Sequence, residues 1–338
     1  MSLFDEYPCI NKTFAPNYVS YSTAAISVPL SFLAIFGNLF VILAVTVDPN
    51  KELKGAFNHF VANLAVADLL VGLIVLPVSV WYHIVEGLEG RYAADPAYLH
   101  MAYFVSCTAS ILSLGALTVD RYVAIAYPLK YRLRLSPRRA VYVSVGIWVF
   151  SISFPFIYFR VGFLAFAFVF ANTAVVFTLA VIIFTYIRIF GSFREQVRYW
   201  DGLNQSIDNN QAKRQAVRWE QKLTKTLLIV LIFFFSCYVT SCILIYVANL
   251  CTECSCVSIH FMRDAQFVLI SSNSSINPYI YAFRLQNFQN AFKSLLTCQY
   301  CGRRFVCNFS CTESVSLRHL RVVSSTSSDK EIGQHNNI

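Results

Sequence analysis

Leu117-Thr118-Val119-Asp120-Arg121-Tyr122-Val123-Ala124-Ile125-Ala126-Tyr127-Pro128-Leu129 ends a long apolar run with an acid, an arginine and a tyrosine, and the fold follows from where such a run can stop. A charge at the centre of a bilayer costs about 3 kcal/mol on insertion scales, whereas at the end of a membrane-length helix it reaches headgroups and water. Arg121 therefore belongs at a membrane edge, with Asp120 beside it as a partner. A second acid from another helix would hold the arginine until a partner protein competes for it, which is the design of a switch. A plain stop-transfer anchor is the simpler reading of these residues alone.

The rest of the chain supplies the membrane. Of its 338 residues, 57% are hydrophobic, 16% aromatic and only 13% charged, where soluble domains carry about 25% charged residues. A helix needs about 20 apolar residues to cross about 30 Å of hydrocarbon. Seven runs suffice: Ala24–Val47, Phe57–Tyr82, Ala97–Ala126, Ala140–Phe159, Leu164–Phe190, Lys222–Leu250 and Ile259–Phe283. The net charge of +9 does not mark a nucleic-acid binder, because on one side of this layout lie only Lys12, Arg91, Arg160 and Arg263. All other Lys and Arg fall in the first, third and fifth connections, in the tail, or, as Arg121, Arg188, Lys222 and Lys225, at the span ends that border those connections, which makes that side cytoplasmic and puts the amino terminus outside. Met1–Ile10 lacks the pattern of a cleavable signal peptide, so the first span is expected to act as an uncleaved signal. The sequon Asn11-Lys12-Thr13 then makes Asn11 the expected glycan acceptor.

Polar residues inside the spans locate the working parts. The first span carries Gly37-Asn38. The second has Asn63 and, near mid-bilayer, Asp68, followed by Pro77 and Trp81; an ionisable group at that depth needs partners or an ion. Asp68, Ser110, Asn273 and Asn277 form an oxygen set suited to a small hard cation such as sodium, with waters. The rival reading is a water-filled hydrogen-bond network without an ion. No other cofactor is expected.

Gly37-Asn38, Leu64-Ala65-Val66-Ala67-Asp68, Asp120-Arg121-Tyr122, Trp148, Tyr186 and Asn277-Pro278-Tyr279-Ile280-Tyr281 together resemble the rhodopsin-like family of G-protein-coupled receptors, over Ala24 to about Leu296. The resemblance implies an all-α membrane protein, a seven-transmembrane helix bundle with a short amphipathic eighth helix. It implies that Arg121 and Glu220 form a lock between the third and sixth spans. Tyr186 and Tyr281 would turn inward when it opens, and Pro128-Leu129 would dock a heterotrimeric G protein. Arrestin and receptor kinases are the partners implied for the Ser/Thr-rich tail, and an extracellular small ligand for the opposite face.

The departures from the family pattern are informative. The sixth span reads Cys237-Tyr238-Val239-Thr240 where the family has Cys-Trp-x-Pro, and Thr240 is expected to bond back to the preceding turn and bend the helix slightly. Thr178 replaces the fifth-span proline. Pro96 occupies the cysteine position of the usual disulfide, and the second outer loop near Arg160–Phe163 is only a few residues long. These traits resemble the branch holding melanocortin, cannabinoid and lysolipid receptors. Tyr103 stands where amine receptors place an aspartate, leaving Asp264 and Glu86 as the outer counter-ions. The pocket implied is Tyr103, Phe170, Ala174, Tyr238, Tyr246 and Phe267, which favours an apolar or aromatic, non-aminergic ligand. Melanocortin receptors are similar in bridging the third outer loop internally and to the amino terminus. On that pattern Cys9 is expected to join one of Cys254 or Cys256, and Cys251 the other.

The expected organisation is an extracellular segment 1–23, a receptor domain 24–283, an interfacial helix 284–297 and a cytoplasmic tail 298–338. Apolar residues at helical spacing between Leu285 and Leu296 suit a helix on the bilayer surface. Cys298 and Cys301 beside it are acylation candidates. The tail, with Ser324-Ser325-Thr326-Ser327-Ser328, reads as disordered and phosphorylatable. A constitutive or partner-dependent receptor without a small ligand is the alternative function. A transporter is less favoured, for want of repeated halves, and an intramembrane enzyme for want of a zinc motif or a second membrane aspartate. The localisation expected is the plasma membrane.

Overall fold

The structure is a computed structural model. It describes residues 15–90, 97–127, 137–184, 186–188, 191, 211–251 and 253–296, and their side chains except at 137, 163–165, 171, 174, 211–221 and 224. Among these residues there are helices and no strand. In chain order they are α1 (Asn17–Val47), α2 (Ala56–Glu89), α3 (Ala97–Ala126), α4 (Arg138–Gly162), α5 (residues 163–184, with 186–188 also helical), α6 (Gln211–Leu250), α7 (Cys256–Arg284) and α8 (Gln286–Leu296). The first four, and Lys225–Leu250 of α6, are long and apolar enough to span a membrane. The apolar helix of α5 runs over undescribed residues, and α7 is diluted by the polar run from Ser271 to Asn277. At about 1.5 Å per residue, the 29 residues of α7 still exceed the hydrocarbon thickness.

Several helices outrun the expected spans, and always where polar residues made the sequence look like a loop. Helix α1 starts at Asn17 rather than Ala24, directly after Pro16. Helix α2 continues from Tyr82 to Glu89, α7 begins at Cys256 rather than Ile259, capped by the Ser255 hydroxyl, and α6 begins at Gln211 rather than Lys222. The surface helix occupies Gln286–Leu296 within the expected 284–297.

Small and polar residues set how closely the helices pack. A Cβ on Gly37 would lie 2.6 Å from Pro278 Cγ, so only glycine lets α1 meet the α7 proline at this point. Asn38 Nδ2 donates to the carbonyls of Ala34 (2.9 Å) and Ser274 (3.1 Å), and Ser275 Oγ to that of Leu30 (2.9 Å). In α2, Pro77 removes one backbone donor and a wider turn spans Val71–Val75. The Gly72 carbonyl in that turn accepts from Ser31 Oγ at 2.9 Å. Asn63 ties three helices: its Nδ2 donates to Ser113 Oγ (2.7 Å), and its Oδ1 accepts from Trp148 Nε1 (2.9 Å).

Helix α4 passes into α5 through one non-helical residue, Gly162 at φ 78 and ψ 172, a conformation that residues with a Cβ avoid. The second outer loop is thus a single-residue turn. Although Thr178 replaces the family proline, α5 has a wide turn at Phe170–Val176. Beside Thr240 in α6 it is the Ser241 hydroxyl that bonds back, to the Cys237 carbonyl at 2.8 Å, while Thr240 is exposed. The expected role of Thr240 is corrected to its neighbour.

Residues Met1–Lys293 form one compact unit and Ser294–Ile338 a second, of which only the last residues of α8 are described. Within the first unit, α8 seats Phe288 and Ala291 in buried positions. Phe288 lies 6.2 Å from the Tyr281 ring and 6.1 Å from Phe292, which meets Phe40 at 6.1 Å.

Candidate functional site

Three polar centres lie along the bundle between its two ends, one end carrying a disulfide and the other Arg121. The disulfide joins Cys251 to Cys254, with Cα atoms 5.6 Å apart. Cys256 is also disulfide-bonded. Cys9, the expected partner from the amino terminus, lies outside the described residues, as do Asn11, Cys298 and Cys301.

In the disulfide half, α3, α5, α6 and α7 enclose a cavity of about 20 Å³ lined by Tyr103, Phe104, Phe170, Val175, Tyr238 and Gln266, among others. That volume holds about one water, so aromatic side chains fill most of the space a ligand would need. Tyr238 stacks on Phe234 at 4.1 Å, and Tyr103 leans on Phe267 at 5.7 Å and Phe104 at 5.5 Å. Tyr246 donates a hydrogen bond to Asn172 and packs on Phe168, away from the cavity. The Ala174 side chain is outside the described set. Two buried polar atoms, Tyr103 Oη and Gln266 Oε1, have no hydrogen-bond partner among the described residues. Gln266 carries no signal at the level of the chain, since one glutamine on a helix reads as surface.

Beside the cavity, α1, α2 and α7 bury an ionic cluster that the sequence showed only as isolated acids. Glu86 is fully buried, and Asp264 and His83 nearly so. Arg263 Nε donates to Asp264 Oδ1 at 2.8 Å, and its Nη2 lies 3.6 Å from Glu86 Oε2. Ser20 Oγ donates to Glu86 Oε2 (2.9 Å) and Thr23 Oγ1 to Asp264 Oδ2 (3.0 Å). The polar first turns of α1 and the charged last turns of α2 are helical because they satisfy one another here. Both expected counter-ions, Glu86 and Asp264, are therefore already matched to Arg263.

Mid-bundle, Asp68 is fully buried and has neutral partners: Ser110 Oγ donates to its Oδ1 (3.1 Å) and Asn277 Nδ2 to its Oδ2 (2.9 Å). Asn277 Oδ1 and both polar atoms of Asn273 are buried without partners among the described residues. Orphaned carbonyl oxygens around an uncompensated carboxylate fit a hard cation. No cluster of three or more His, Cys, Asp or Glu able to hold a metal occurs among the described residues.

At the other end, Arg121 is buried, with Nη2 2.7 Å and Nε 3.1 Å from Asp120 Oδ2 and its guanidinium 4.6 Å from the Phe57 ring centroid. Tyr122 packs edge-on against Tyr127 at 6.3 Å. A cavity of about 210 Å³ opens here, lined by Arg121, Phe57, Asn58, Leu223, Leu285 and Phe288, among others. Tyr281 is buried with its hydroxyl unpartnered among the described residues, and Tyr186 is half-buried. Pro128, Leu129 and the Glu220 side chain lie outside the described set, so the expected lock partner and docking pair have no geometry here.

Residues 37–165 and 159–281 match the family model of the 7 transmembrane receptor (rhodopsin family). The chain is 28% identical to the histamine H2 receptor of Cavia porcellus over 313 residues, 85% of this chain and 83% of the relative. It is 26% identical to the octopamine receptor beta-2R of Chilo suppressalis over 314 residues, 80% and 78% of the two chains. It is 28% identical to the adenosine receptor A2a of Homo sapiens over 303 residues, 80% and 71%.

Proposed function

The chain belongs to the rhodopsin family of seven-transmembrane receptors, and from that premise we propose that it answers a small, uncharged, flat aromatic or apolar ligand. It is a membrane receptor coupling to G proteins, not an enzyme. The finer reading rests on one observation: among the described residues no carboxylate lines the cavity, and Glu86 and Asp264 are held by Arg263. A ligand ammonium would have to displace a guanidinium from a buried pair, at a cost of several kcal/mol. Tyr103 Oη and Gln266 Oε1 instead offer neutral hydrogen-bonding points amid aromatic rings, as small-molecule pockets do. Two of the relatives are named for amines and one for adenosine, a neutral heteroaromatic nucleoside. The cavity's chemistry favours the second kind.

The plasma membrane, with the disulfide end outside and Arg121 facing the cytoplasm, is the placement that the basic residues favour. Arrestin and receptor kinases remain proposed partners of the tail. A guanine-nucleotide exchange assay with adenosine, histamine and octopamine tests the ligand class. We expect no amine to act at nanomolar concentration. An amine of that potency, indifferent to Tyr103→Phe, overturns the reading. The small cavity favours one second reading, a receptor signalling without a small ligand, for which exchange would be high before any addition and unmoved by a broad neutral panel. Arg121 and Glu220 are the proposed lock. Glu220→Ala should raise basal exchange at equal surface expression, and an unchanged basal rate removes Glu220 from it.

A further inference from the structure

We propose that the ligand enters from the bilayer, between α5 and α6, and that the hydrogen bond from Tyr246 to Asn172 is the latch of that entrance. This rests on the uncharged ligand proposed above and narrows it to an amphiphile that dissolves in hydrocarbon, with an apolar body and one hydroxyl, amide or ester end.

The cavity comes nearest to lipid on this side. Phe170 and Val175 of α5 and Cys242 and Ile245 of α6 line it. Cys242 and Ile245 are partly exposed although they line the cavity, so the wall there is one side chain thick. Tyr246 stands one turn beyond Cys242, just outside the lining. On α5, Asn172 and Thr173 lie in the wide turn Phe170–Val176 and are exposed beside Val176 and Phe177. The exposed neighbours on α6 are Ile243 and Val247. Asn172 is ten residues from the Gly162 turn and sixteen from Arg188, about 15 Å and about 24 Å along a helix. A hydrocarbon layer of about 30 Å placed anywhere between those ends encloses it.

The other flanks are closed more firmly. Helix α6 runs closely along α7, and Ser241 Oγ reaches the Gln266 carbonyl at 3.4 Å. His100 Nδ1 lies 3.2 Å from Tyr158 Oη, which ties α3 to the end of α4. Arg263, Glu86 and Asp264 join α2 to α7. Between residues 158–176 and α6 the backbones come close at few points. That seam is held by the bond from Tyr246 Oη to Asn172 Oδ1 and by the edge-on contact of Tyr246 with Phe168 at 5.4 Å. Asn172 Nδ2 donates to the Phe168 carbonyl at 2.9 Å, which fixes the amide with its oxygen toward Tyr246.

Apolar side chains would make a plain packing contact at lower cost. Two polar groups bonded to each other at a lipid surface are satisfied while the seam is shut, and both are stranded in hydrocarbon when it parts. Opening is therefore disfavoured in bare lipid and favoured by a molecule that brings its own polar atom to Asn172 and Tyr246. Its apolar body then meets the aromatic rings behind the seam. The cavity holds about one water when the seam is shut, and parting α6 from α5 supplies the missing room.

The test uses the full-length receptor in phosphatidylcholine nanodiscs with two photolabels, an apolar aryl diazirine dissolved in the bilayer and its trimethylammonium derivative kept in the water. Labelled residues are read by peptide mass spectrometry. The apolar probe should label Phe170 and Tyr238, which are buried cavity residues, and the charged probe should not. Tyr246→Phe should raise that labelling about threefold, the Boltzmann weight of one hydrogen bond between membrane helices. Asn172→Leu should do the same, and the double variant should add nothing to either. Thr173→Val, which removes a neighbouring hydroxyl bonded to its own turn at Val169, should match the parent, and the label on exposed Phe177 should be the same in all. Equal labelling of Phe170 and Tyr238 in the parent and Tyr246→Phe makes the bond a packing contact and overturns the proposal. Stronger labelling by the charged probe overturns it too, and that comparison in the parent needs no variant to fold. None of these readouts depends on ligand charge. A shut seam leaves the uncharged-ligand reading standing, while an amine agonist overturns that reading without altering the labelling.

Discussion

The two buried carboxylate centres answer the same physical problem in opposite ways. At the disulfide end, Glu86 and Asp264 meet a guanidinium and an imidazole within 3.6 Å of their oxygens. In mid-bundle, Asp68 meets a hydroxyl and an amide, with carbonyl oxygens of Asn273 and Asn277 left over. The first centre brings its counter-charge on the chain and is built to stay closed. The second has no counter-charge among its described partners. We propose sodium for it, held by Asp68, Ser110, Asn273 and Asn277.

Charge removal separates the two most sharply. Arg263→Met strands two buried carboxylates and should cost about 3–5 kcal/mol of stability, read as a large fall in melting temperature. A fall under about 1 kcal/mol would mean that the acids are not held by this arginine. Asp68→Asn should do the reverse in sodium-free buffer, raising stability by about 1–2 kcal/mol, because a neutral isostere keeps partners and loses the uncompensated charge. The same variant should lose both the thermal stabilisation by sodium and sodium's lowering of agonist affinity. If its sodium response matches the parent, the two centres do not differ as argued. The smallest effect compares single hydroxyls. Ser110→Ala should cost about 1 kcal/mol more than Thr23→Val, since hydrogen bonds are the described support of Asp68 while Asp264 keeps Arg263. Equal losses in chemical denaturation would place both carboxylates in equivalent settings.

What the sequence disclosed and what it hid divide along the same line. Asp68, Asn277 and Arg121 were legible because charge or amide inside an apolar run has few explanations. The single-residue α4–α5 turn was legible as a loop too short to hold anything. The ionic cluster was not, because Tyr18–Thr23, His83–Glu89 and Arg263-Asp264 each read as the polar border of a span. Nothing local says that three such borders satisfy one another. Gly37 was visible as a small residue, but its reason lies 241 positions away in Pro278. Gln266 became notable only through the neighbours that leave its oxygen unbonded.

The Gly162 turn also has mechanical weight. One residue spans at most about 3.6 Å, so the ends of α4 and α5 are tethered more tightly than a long loop would allow. Any ligand that draws the top of α5 inward must drag α4 with it. Much of α4 faces outward, with Tyr142 75% and Val149 61% exposed, so the stroke is made against acyl chains. The stiffness and thickness of the surrounding lipid become a load on the switch, and a given agonist should drive the receptor further in a fluid bilayer than in a rigid one.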